Sequence, residues 1–178
     1  MPALIRIERP AAGEFNPYFS RYIDPVTGDD ALDVLAGQIR DTTALLGGLS
    51  DARALHRYAP GKWSVKETLT HVTDVERVFA YRALTFARKD PTVLPGFDEG
   101  VWAPEMRSDA RPLADLVDEL KAVRAATLAL FHGLDADALA FVGTANASPL
   151  TPRAAAWIIA GHELHHRRIL QERYGLGA

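Results

Sequence analysis

At 178 residues the chain is long enough to bury one ordinary hydrophobic core without disulfides or other staples. Its 48% hydrophobic and 24% charged content is globular, and a net charge of -3 gives no electrostatic case for a nucleic-acid partner. There is no cysteine, which excludes disulfides, thiolate metal ligands, iron–sulfur clusters and a cysteine nucleophile; any metal must be held by His, Asp or Glu, and any thiol chemistry needs an external thiol.

Residues 1–28 carry Pro2, Pro10, Pro17, Pro25, Gly13 and Gly28 between the aromatics Phe15, Tyr18, Phe19 and Tyr22. That density of breakers predicts an irregular arm laid over the domain, with a short helical turn near Pro17 to Tyr22. Within Met1–Gly13, charges at Arg6, Glu8 and Arg9 leave no apolar stretch of the kind a signal peptide needs. No apolar run anywhere approaches ~18 residues. The expectation is a cytoplasmic protein with no membrane partner.

The first helix is expected from Asp29 to Leu46, capped by Asp29 or Asp30 and ended by Gly47-Gly48. After Pro60-Gly61, Ser64 followed three residues later by Glu67 forms a capping box and starts a second helix that runs to about Arg88. Its apolar stripe is Val65, Leu69, Val72, Phe79, Ala83 and Phe86, with His71 at the edge and Glu67, Asp74 and Arg82 on the same side. A long link to Arg111 follows. Simple antiparallel neighbours need only about 2 to 8 residues between them, so this link is read as a crossover that makes helices two and three parallel, or as part of a pocket rim with Phe97 and Trp102. The third helix is expected from Pro112 to Phe131, one further turn over Asp135–Leu139, and a loop over Gly143–Leu150. Thr151 as cap and Pro152 at the next position open the last helix, to about Tyr174. Four long helices with no convincing strand make an all-α four-helix bundle forming a single domain.

The last helix carries His162-Glu163-Leu164-His165-His166. Residues three and four apart share a helix face, so His162 and His166 can aim at one point with His165 beside them, the spacing a divalent metal asks of two ligands from one helix. A solvated, His-rich surface is the plainer alternative, given the polar neighbours Glu163, Arg167 and Arg168. The pentapeptide also fits the H-E-x-x-H signature of zinc peptidases. His71 on helix two can supply a third imidazole if the two helices are neighbours.

The run Arg57-Tyr58-Ala59-Pro60-Gly61-Lys62-Trp63-Ser64-Val65-Lys66-Glu67, then His71, Asp74, Glu76-Arg77, Tyr81-Arg82, and finally Gly161-His162-Glu163-Leu164-His165-His166, resembles the DinB-like (DinB/YfiT-like) superfamily of metal-dependent hydrolases and thiol-dependent transferases. The resemblance implies a bundle in up-down-down-up order, often a homodimer. It also implies a divalent metal, usually zinc or nickel, held by His71, His162 and His166, with His165 at the rim. Arg168 departs from the Gln that many relatives carry after the His pair. A peptidase would need a third ligand downstream, and Glu172, the sole acidic residue after His166, lies on the same short helix.

An open three-His site describes a reactive metal centre rather than a closed structural one. The resemblance implies either a hydrolase or an S-transferase using an external thiol such as mycothiol or bacillithiol, acting on a small-molecule substrate. Asp74 is the candidate carboxylate for orienting a ligand or relaying protons, and Arg82 the candidate anion clamp; a mutual salt bridge is the plainer role for both. A non-catalytic metal or small-molecule binding module, stress-associated in character, is the competing class. A bundle whose histidines never bind metal is the third.

Overall fold

The computed structural model describes residues 5–177. Four long helices dominate: α1 (Ala31–Leu46), α2 (Val65–Ala87), α3 (Leu113–His132) and α4 (Pro152–Tyr174). Each begins where a side chain meets an otherwise unpaired backbone N–H. Asp30 accepts from Leu32 N at 3.0 Å, and Thr151 from Ala154 N at 3.1 Å. Ser64 and Glu67 form the reciprocal capping box expected of them. Pro112 lacks a side-chain hydrogen-bonding group, and α3 is capped from elsewhere: Asp51 accepts from Leu113 N at 2.8 Å.

Side-chain pairs fix the helix directions. Ser64 reaches Asp109 at 2.5 Å and Arg77 reaches Glu119 at 2.7 Å, so positions advance together along α2 and α3, which are parallel. Gln38 donates to Ala160 O and Thr42 to Glu163, making α1 and α4 parallel as well. Tyr174 donates to Trp63 O while His162 meets His71 further along, so α4 runs against α2. The order is up-down-down-up.

The crossover from α2 to α3 holds short helical turns at Glu99–Trp102, Ala103–Glu105 and Ser108–Ala110. The arm makes turns at Pro17–Phe19 and Ser20–Ile23, as its sequence predicts. Gly143–Leu150, expected as a loop, is instead a small antiparallel hairpin: β1 (Gly143–Ala145) pairs with β2 (Ser148–Leu150) through a turn in which Asn146 and Ala147 both have positive φ. These strands have little β-branched or aromatic content, Pro149 cannot donate to the ladder, and the turn lacks the Asn-Gly signal. The crossover supports the hairpin from outside, with Leu94 N donating to Thr144 O and Asn146 N to Leu94 O, each at 2.9 Å.

The core falls into two apolar clusters. One contains Leu35, Phe79, Phe86, Phe131 and Trp157; the other contains Leu69, Leu116, Leu120, Leu170 and Tyr174. Between them, on all four helices, lies a buried polar layer that includes Gln38, Thr42, His71, Glu76, Arg124, Thr127, His162 and Glu163.

Candidate metal centre

The polar layer has two halves. In the first, His71 on α2 and His162 and His166 on α4 converge through Nε2: His71 lies 3.1 Å from His162, and His166 lies 3.2 Å from His162. All three ligand atoms fall within 4.8 Å of one another. Imidazole nitrogens bound at ~2.0–2.1 Å around a tetrahedral zinc ion stand about 3.3 to 3.4 Å apart, so the donor set fits a divalent ion with little movement.

The surroundings favour neutral, ligand-ready rings. Burial pushes the His71 imidazole down to about 4, only partly opposed by Glu99. Burial and then the neighbouring His71 and His165 rings hold His166 at about 3, and His162 also lies well below the usual histidine value. Trp63 packs beside His71, with ring centroids 4.6 Å apart, and stacks with His166 at 6.5 Å. Tyr22, from the arm, lies edge-on to His162 at 5.6 Å and His165 at 5.3 Å. The arm comes this close because residue 161 is glycine: a Cβ there would collide with the Tyr22 carbonyl. His165 itself is exposed at the rim.

These shifts fix the acid behaviour of the metal-free protein. Each imidazole binds a proton more weakly folded than unfolded, so its contribution to stability is present above about 6.5 and is lost as the pH falls through its folded value, about 4 for His71 and about 3 for His166. The melting temperature of chelator-treated protein should therefore drop across that window in a buffer series. A flat profile would contradict the buried, neutral trio.

The second half is a charge centre that the sequence reading did not anticipate. Arg124 on α3 donates from Nε and Nη2 to the two oxygens of Glu76 at 2.8 and 2.7 Å, from Nη2 to Glu163 at 2.6 Å, and from Nη1 to Leu35 O at 2.8 Å. Thr42 Oγ1 donates to the other Glu163 oxygen at 2.5 Å. Burial alone would lower the Arg124 guanidinium, but the two carboxylates outweigh it and hold it above its usual value. Glu163 therefore faces Arg124 and Thr42, and the H-E-x-x-H match has a structural explanation.

Asp74 and Arg82 do not pair with each other. Asp74 contacts Arg77 at 3.3 Å, and its carboxyl is held above the usual range by burial, which outweighs Arg77. Arg82 is buried and donates to Pro95 O at 2.9 Å.

A helical bundle with parallel middle helices and a three-imidazole group on two facing helices defines a class of candidate metalloproteins. The chain belongs to the DinB superfamily, whose family model matches residues 35–170. Its fold is similar to that of YfiT from Bacillus subtilis, described as a probable metal-dependent hydrolase with an unusual four-helix bundle topology. The two chains are 16% identical, with a TM-score of 0.70 over 94% of each. No curated protein matches the chain. Among the described residues, no helix is long and apolar enough to cross a membrane.

Proposed function

We propose that the protein is a divalent-metal-dependent hydrolase acting on a small molecule, with His71, His162 and His166 as the metal ligands. The convergence of the three Nε2 atoms carries this reading. The similarity to a probable metal-dependent hydrolase favours hydrolysis over other chemistry. A divalent ion held there supplies Lewis acidity, polarising a carbonyl or making water or a thiol acidic near neutral pH. Zinc and nickel both accept such imidazoles.

The chain's own residues set up the rest. Burial keeps the three rings unprotonated, so each offers a lone pair at neutral pH. Trp63 and Tyr22 wall the rings on two sides and limit water access. Asp74 is the assisting carboxylate of this reading, one turn beyond His71 on α2, its carboxyl held above the usual range by burial and so suited to carrying a proton.

The test is elemental mass spectrometry on untagged wild type beside His166→Ala. About one divalent ion per chain, lost in the variant, is the expected result for a site of this kind. Equal, negligible metal in both after incubation with zinc and nickel would overturn the reading. Loaded protein would then be assayed on ester and amide substrates in parallel with thiol conjugation. Turnover confined to the thiol arm would replace hydrolysis with S-transfer from an external thiol, while inertness in both would identify a binding module.

A further inference from the structure

The polar layer is not the only place where charge is buried. Between the arm, α2, the crossover and the hairpin lies a cavity of about 380 Å³, a volume within the range of small-ligand sites. Phe19, Phe79, Phe97 and Leu150 give it apolar walls, and among the described residues its charged lining is Arg82 and Glu99.

Arg82 is 5% exposed. Its guanidinium lies over Phe79 at 5.0 Å and Phe97 at 5.8 Å. An arginine carries five N–H donors, yet Arg82 makes a single hydrogen bond, from Nη2 to Pro95 O. Only burial perturbs it; no described charged group offsets that cost. Arg124, the more deeply buried of the two, has two carboxylates. A buried charge ordinarily has a counter-charge, and here the cavity stands where one would be.

We propose that this cavity binds a small arylalkanoic carboxylate, its carboxylate on the Arg82 guanidinium and its ring among Phe19, Phe79 and Phe97. A bidentate carboxylate matches the planar fork of the free donors. A phosphate fits less well: Glu99 lines the same cavity and repels any anion, a dianion about twice as strongly as a monoanion, and one cation leaves the dianion undercompensated. Arg82 stands about 16 Å along α2 from His71, at ~1.5 Å per residue. The guanidinium end of the cavity is therefore remote from the three imidazoles, although Glu99, which lines the cavity, also acts on His71, so the two sites are neighbours; carboxylate binding at Arg82 needs no metal.

Calorimetric titration with phenylacetate, neutral phenylacetamide and phenylphosphonate tests this, using wild type, His166→Ala and Arg82→Met, all treated with chelator. Phenylacetate should bind wild type and His166→Ala alike. Its affinity should fall about tenfold or more in Arg82→Met, and phenylacetamide should bind wild type more weakly by a similar factor, as expected for the loss of charge-assisted hydrogen bonds. The wild-type comparison stands even if Arg82→Met does not fold. The proposal would be overturned by no phenylacetate binding at millimolar concentration, by equal binding of acid and amide, or by binding lost in His166→Ala but kept in Arg82→Met, which would place the carboxylate at the metal centre. Tighter phenylphosphonate binding would overturn the carboxylate class.

Discussion

Arg124→Met should destabilise the protein by about 3 to 5 kcal/mol, the usual cost of removing one partner from a buried ion pair. Met keeps much of the volume, so a cavity is not the main effect. The loss comes from Glu76 and Glu163, which are 1% and 2% exposed at their side chains and would face each other with no cation between them. The Leu35 carbonyl would lose the Arg124 side-chain donor as well, keeping only its helical partner. Urea unfolding measures the change through the transition midpoint. Adding Glu76→Leu and Glu163→Leu to Arg124→Met should recover much of the stability, because apolar groups of similar size replace a buried ionic cluster at little cost. A single variant as stable as wild type would mean that the three charges are not buried together.

Gly161→Ala should be the second damaging change, although helix propensity points the other way. In a free helix the substitution would gain about 1 kcal/mol. Here the new methyl would meet backbone rather than a flexible side chain, at the Tyr22 carbonyl. Ser20–Ile23 would have to lift off α4, and overpacking of this kind costs about 1 to 3 kcal/mol. The expected net result is a lower melting temperature. Because Tyr22 is also the wall beside His162, zinc affinity should weaken in the same variant. Gain of stability with unchanged zinc binding would show that the arm does not rest on this helix.

Much of the fold is legible in the sequence because its signals are local. Ser64 and Glu67 cap α2 within their own turn, and Thr151-Pro152 sets the start of α4 to the residue. The length of the link before Arg111 forecasts parallel middle helices. His162 and His166 are related by one helix turn, so two of the three imidazoles could be read directly; His71 could be offered as the third only if its helix neighboured α4, family resemblance supported it, and the distances that join it to α4 needed the fold. What escaped was tertiary. Arg124 continues the buried seam of Leu113, Leu116 and Leu120 on α3, at a position where the stripe asks for an apolar side chain. A charge on such a seam predicts counter-charges on facing helices, but periodicity does not say which Glu residues supply them. The hairpin escaped for a different reason, since the crossover strand that supports it lies far away in the chain.

The polar layer between the two apolar clusters also fixes how the helices align. Leucine and phenylalanine seams tolerate sliding, because one apolar contact resembles the next. A slip of α3 by one turn, ~5.4 Å, would carry Arg124 away from Glu76 and Glu163 and into a hydrocarbon cluster. The same slip of α4 would separate His162 and His166 from His71. Charges and imidazoles thus act as a key cut across the bundle, admitting one longitudinal register and rejecting its neighbours. The alignment that satisfies the buried charges is also the one that brings the three imidazoles together.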